Sequence, residues 1–77
     1  MMIDLNAPVE LWRCELPTAE YRACTLQLYN LAERQMESCE VTMLMLDDEG
    51  REQARVLYRA HDLHCPPGKT CTMTVPL

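Results

Sequence analysis

The chain has no phenylalanine, one tryptophan, one lysine and only two glycines. Without Phe, core volume must come from aliphatic and thioether side chains, and the six methionines are pliable fillers that specify packing loosely. Basic charge is scarce as well: seven Lys and Arg against twelve Asp and Glu give a net charge of −5. That balance excludes the basic patch by which nucleic-acid binders neutralise phosphate. No long apolar run exists; the longest, Met43 to Leu46, is far too short to span a bilayer. The N-terminus, MMIDLNAPVE, lacks a basic region followed by an apolar stretch, so it reads as no secretory signal and points to the cytoplasm.

Seventy-seven residues, 48% hydrophobic and 25% charged, describe one globular domain near the lower limit for a sufficient core. Cys14, Cys24, Cys39, Cys65 and Cys71 are many cysteines for this length. An odd number without a signal peptide argues for reduced thiols rather than a disulfide framework. Should a disulfide form, Cys24 and Cys71 are the first pair to consider.

The clearest pattern lies between Ser38 and Ala60. Val41, Met43 and Met45 alternate with Thr42, Leu44 and Leu46, and Ala54, Val56 and Tyr58 alternate with Arg55, Leu57 and Arg59. Between these arms Asp47-Asp48-Glu49-Gly50 supplies turn chemistry, Asp opening a type I turn and Gly taking the positive φ that closes a hairpin. Thr70 to Leu77 alternates as cleanly, with Cys71, Met73, Val75 and Leu77 on one face, after the type II turn signal Pro67-Gly68. Val9 to Leu16 reads as an earlier strand ended by Pro17, and Met1 to Ala7 as a loose lead-in. Thr18 to Ser38 is open to two readings. As a helix, Tyr21, Cys24, Leu28, Leu31 and Ala32 form a stripe capped by Thr18; as a strand over 23–30, Cys24, Leu26 and Leu28 share a face and Asn30 opens a loop.

The succession Leu26-Gln27-Leu28-Tyr29-Asn30-Leu31, Cys39-Glu40-Val41-Thr42, Leu46-Asp47-Asp48-Glu49-Gly50, Leu63, Pro67-Gly68 and Thr72-Met73-Thr74-Val75 resembles the FxLYD-type, fibronectin-III-like β-sandwich domains of bacterial proteins. Met43-Leu44-Met45-Leu46-Asp47 stands where that family carries its F-x-L-Y-D signature; the aspartate is kept and the aromatics are replaced. The resemblance implies a small immunoglobulin-like antiparallel β-sandwich over 1–77, with strands near 9–16, 23–30, 39–47, 53–60 and 70–76, and it resolves 18–38 to a strand and a loop. The alternative is an α+β fold with a helix across 18–38. Such sandwiches usually carry seven strands, so the five counted here imply a domain short of its last strands. The expected inward set is Leu26, Leu28, Val41, Met43, Met45, Val56, Tyr58, Met73 and Val75.

Candidate chemistry is sparse. His61, His64, Cys65 and Cys71 put four zinc-type ligands within eleven positions, but the spacing is not that of a finger or knuckle. Gly68-Lys69-Thr70 ends like a phosphate-binding loop but lacks its first glycine and its helix. Asp47, Asp48 and Glu49 read as solvated turn acids rather than a calcium loop. No pair of acids suggests general acid–base catalysis. The expectation is a non-catalytic structural or protein–protein interaction module of a bacterial protein, without cofactor or metal. It would meet a second copy or another partner through an exposed strand edge near 70–77 and form a weak homodimer. The alternative is a small thiol- or zinc-dependent regulator using His61, His64, Cys65 and Cys71. Arg51, Arg55 and Arg59 recur along one arm as a solvent face or as a dock for an acidic partner or another copy of the chain.

Overall fold

Alternation dominates the architecture. A computed structural model describes the whole chain, Met1–Leu77. It contains β1 (Met2–Leu5), β2 (Val9–Glu15), β3 (Ala23–Asn30), β4 (Cys39–Leu46), β5 (Glu52–Ala60) and β6 (Thr70–Pro76), and no helix. The strands form two antiparallel three-stranded sheets, ordered β1-β4-β5 and β2-β3-β6, packed as a small β-sandwich. Two hairpins, β2–β3 and β4–β5, supply the local pairings; β6 returns beside β3 and β1 lies beside β4.

Side chains of period two from both sheets meet in one core. Cys24, Leu26 and Leu28 of β3, Val41 and Met43 of β4, and Met73 and Val75 of β6 are buried, with Met45, Val56 and Tyr58 packed against them. Every residue of the expected inward set is therefore on the inner side. Cys39, Ala60, Met36 and Cys65 close one end of the core.

The helical alternative across 18–38 is overturned. Residues 23–30 are β3, flanked by both β2 and β6, and the helix-forming composition yields to two ladders that a helix could not offer. Thr18 does cap, but only a turn: its Oγ1 accepts from the Tyr21 N–H at 3.0 Å. Met1 to Ala7 is likewise no loose lead-in. Ile3 and Leu5 pair with Met43 and Val41 and pack on the core, so the sandwich has six strands rather than five. All five cysteines are free thiols. Cys24 and Cys71 face Val75 and Leu28 respectively, four ladder positions apart or roughly 13 Å by strand rise, too far for a bridge.

The turns follow their sequence signals. Gly50 has φ 79° and donates to the Asp47 carbonyl at 3.0 Å, and a register shift at Met45/Leu46 absorbs the extra residue. Gly68 has φ 68° in a turn where the Lys69 N–H reaches the Pro66 carbonyl at 3.2 Å.

Candidate functional site

The loop between β5 and β6 carries His61, His64 and Cys65. Two non-glycine residues there, Asp62 (φ 56°) and His64 (φ 49°), lie in the left-handed region, which costs energy and requires anchoring. The anchors are visible. Met36 and Cys65 exchange main-chain hydrogen bonds at 2.7 and 2.9 Å, and the Leu63 N–H donates to the Glu37 carbonyl at 2.9 Å.

Asn30 fastens the same loop from the other sheet. Its carboxamide, 1% exposed, donates to the carbonyls of Arg34 (2.8 Å) and Cys65 (3.0 Å) and accepts from the Ala32 N–H (2.9 Å). Its main chain receives the Gly68 N–H and donates to the Lys69 carbonyl, each at 3.0 Å. No buried polar side chain of the protein lacks a partner. Asn30 therefore closes β3 instead of merely opening a loop.

The histidine–cysteine quartet is not gathered. His64 is exposed and pairs through Nδ1 with Glu37 at 2.9 Å, and His61 is exposed. Cys65 is fully buried, its thiol directed to the Lys69 carbonyl at 3.6 Å. Cys71 lies against it: burial, then the Cys65 thiol, then Cys39 push the Cys71 thiol up to about 12. The thiol neighbours are thus Cys39, Cys65 and Cys71, without the histidines. No set of three or more His, Cys, Asp and Glu side chains is placed to hold a metal ion. Cys24 has its own neighbour in Cys14, and burial first, then Cys14, raises its pKa.

Turn acids and arm arginines satisfy one another. Asp47 accepts the N–H groups of Glu49 (2.9 Å) and Arg51 (2.8 Å), and the side chains of Arg51 (3.2 Å) and Gln53 (3.1 Å). These bonds, led by the Arg51 N–H, lower its pKa and leave its oxygens no capacity for a cation. Arg51 also meets Glu49, Arg55 meets Glu52, and Arg59 meets Glu40. Each arginine of the proposed dock is therefore charge-paired within the chain.

Four strand edges remain, and they differ. β1 is four residues long. β2 is interrupted by a bulge between Leu11 and Arg13. The Asn6 N–H donates to the Glu40 carbonyl, which sets the alternation of β4 and hence of β5; Arg55, Leu57 and Arg59 turn their main-chain groups to the open side. Short length, bulges and charged side chains are the devices that blunt edges. β6 has fewer of them. Asn30 donates to Lys69 and Leu77 donates to Arg22 across the β3 ladder, so Thr70, Thr72, Thr74 and Pro76 present their main-chain groups outward. Three N–H donors along this seven-residue strand have no neighbour, and Pro76 alone lacks one.

Sequence reasoning missed the bonds made by Asn30, the nearness of Cys39 to Cys71 and the aromatic pair on β2 and β3, where Trp12 stacks on Tyr29 with centroids 4.7 Å apart and planes within 3°. A signal for the last existed: strict alternation from Glu10 would turn Arg13 inward and Cys14 outward, and only a one-residue slip reverses both.

The site thus defines a two-sheet antiparallel β-sandwich with an anchored loop and one unguarded edge. No helix of the structure is long and apolar enough to cross a membrane. No family model, curated protein or solved structure matches the chain.

Proposed function

We propose that the protein is a non-catalytic protein–protein interaction module of the bacterial cytoplasm that associates through β6, forming a weak homodimer by edge-to-edge pairing. The observation that carries this reading is the row of unpaired main-chain groups at Thr70, Thr72 and Thr74, beside three edges that are short, bulged or charged. An exposed ladder of this kind accepts a further strand by main-chain hydrogen bonding. The resemblance to FxLYD-type, immunoglobulin-like domains is supported by the connection order. From β2 onward, a hairpin in one sheet, a crossing, a hairpin in the other and a return beside β3 follow the early strands of such a sandwich, preceded here by β1, which lies beside β4. The five cysteines are free thiols, which suits a reducing compartment.

Sedimentation over a roughly hundredfold concentration range should show a reversible shift from monomer to dimer. Thr72→Pro removes an outward N–H without touching the β3 ladder and should abolish the shift; Thr74→Lys should weaken it. A wild-type chain that stays monomeric throughout sinks the proposal, as does a dimer that both variants retain.

A further inference from the structure

We propose that the outer face of the β2-β3-β6 sheet is a binding site for neutral oligosaccharides, with Trp12 as the stacking platform. This rests on outward side chains of the sheet rather than on the edge main-chain groups invoked for association; Thr72 alone contributes to both.

The bulge between Leu11 and Arg13 is the local cause. An extra residue in one strand re-aims side chains; here it places Trp12 and Arg13 consecutively on the outer face, while Cys14 returns inward opposite Leu26. Trp12 is 57% exposed, a costly position for the chain's largest apolar side chain. It is nonetheless held in place. One face stacks on Tyr29, and the indole Nε1 donates to Glu10 at 3.3 Å. The opposite face of the ring is left to solvent as a flat, oriented apolar surface.

Beside it lies a shallow basin of about 300 Å³ lined by Arg13, Glu15, Thr25, Gln27 and Thr72, with no apolar residue. That volume is at the lower end for small-molecule clefts. Hydroxyls and an amide both donate and accept, which matches ligands that are themselves rich in hydroxyl groups. The charge on this face argues in the same direction. Arg13 is taken by Glu15 at 3.2 Å, and the basin is lined by no other cation that could receive phosphate, sulfate or carboxylate. Single-stranded nucleic acid also stacks on aromatic rings but needs a positive groove along its backbone. A protein-docking patch has an apolar core inside its polar rim, whereas this basin is lined by no apolar residue. A pyranose offers the remaining combination: an apolar C–H face for the ring, and hydroxyls at its rim for Thr25, Gln27 and Thr72.

Trp12 is the only tryptophan, so its fluorescence reports on this face alone. The wild-type chain is titrated with hexasaccharides of glucose, xylose and N-acetylglucosamine, and in parallel with a thymidine oligonucleotide. A saturable emission change with at least one sugar series, at a Kd of about 0.1–5 mM, and none with the oligonucleotide is expected. Amide chemical shifts of Gln27 and Thr72 should move with the same Kd. Trp12→Ala should remove the Gln27 and Thr72 shifts, and Gln27→Ala, which leaves the aromatic stack intact, should weaken binding several-fold. No saturable response to any sugar overturns the proposal. So does a response only to the oligonucleotide, or sugar binding undiminished in both variants at an unchanged melting temperature.

Discussion

Asn30 and Cys65, 35 residues apart in sequence, are joined by a hydrogen bond of 3.0 Å from the Asn30 carboxamide to the Cys65 carbonyl. The same carbonyl accepts the Met36 N–H, so both of its lone pairs are used. The bond ties the end of β3 to the loop that leads into β6. Through that loop it also supports the left-handed residues Asp62 and His64.

Replacing Asn30 with Leu removes two donated bonds and one accepted bond, so that the half-buried Ala32 N–H loses its acceptor and the carbonyls of Arg34 and Cys65 each lose a donor. Unsatisfied buried groups cost about 1–3 kcal/mol each, and part of the Cys65 carbonyl's loss is covered by Met36. A destabilisation of about 2–3 kcal/mol is expected, lowering Tm by roughly 10–20 °C in a domain of this size. Calorimetry of Asn30→Leu checks it, and a Tm within about 2 °C of wild type would show that the carboxamide is not the fastener.

Inner and outer faces should respond oppositely to charge. Val41 is fully buried whereas Leu57 is 64% exposed on the outer side of β5. Val41→Asp places an unpaired carboxylate in the core and should abolish cooperative unfolding by circular dichroism. Leu57→Asp, near Arg55 and Arg59, should change stability by less than about 0.5 kcal/mol. A tolerated Val41→Asp beside a disruptive Leu57→Asp would mean that the sheet is assigned the wrong way round.

Asp47 gives the acid side of the stability profile a specific origin. Its folded pKa lies below the ordinary value of 3.8, chiefly through the Arg51 N–H. A lowered carboxyl pKa contributes stability that is full above the unfolded value and is lost as pH falls through the folded one. Asp47→Asn should therefore melt lower than wild type at pH 6, and the gap should close as pH drops below 3.8. Melting curves of the pair between neutral pH and about pH 2 test this; a gap independent of pH would assign the effect to shape rather than charge.

Cys71 does the same on the alkaline side. Its thiol is raised from 9.0 to about 12 by burial and the Cys65 thiol. The contribution is full below 9.0 and is lost as pH climbs from there through the folded value. Tm should hold up to about pH 9 and then fall, less steeply in Cys71→Ala. In native protein, alkylation of Cys24, Cys39 and Cys71 should lag far behind the denatured chain. Rapid native labelling of Cys71 would contradict its placement.

Much of the sandwich was legible because burial follows period two. Val41, Met43 and Met45, or Cys71, Met73 and Val75, declare a face without help, and the Asp47–Gly50 and Pro67-Gly68 turns declare where the chain reverses. What was not legible depends on contacts made at long range. Met2–Leu5 is too short for alternation to carry a signal, and its strand character comes from β4. Asn30 looks like any turn residue until Arg34 and Cys65 arrive around it. The thiol neighbours were hidden for a related reason: His61 and His64 are close to Cys65 along the chain, whereas Cys71 of β6 lies near both Cys65 and Cys39 of β4 only in the fold.

The pairing of β1 with β4 also bears on how quickly the fold is reached. Only the β2–β3 and β4–β5 hairpins join neighbours in sequence; Met2 meets Leu44, and Cys24 meets Val75. Closing such long loops costs entropy before any contact rewards it, so non-local sheets reach the native state slowly, on a scale of roughly milliseconds to seconds. The two hairpins are the natural nuclei, with β6 and then the four-residue β1 docking last. During synthesis β1 emerges before its partner exists and must wait, unpaired, until β4 has followed it out.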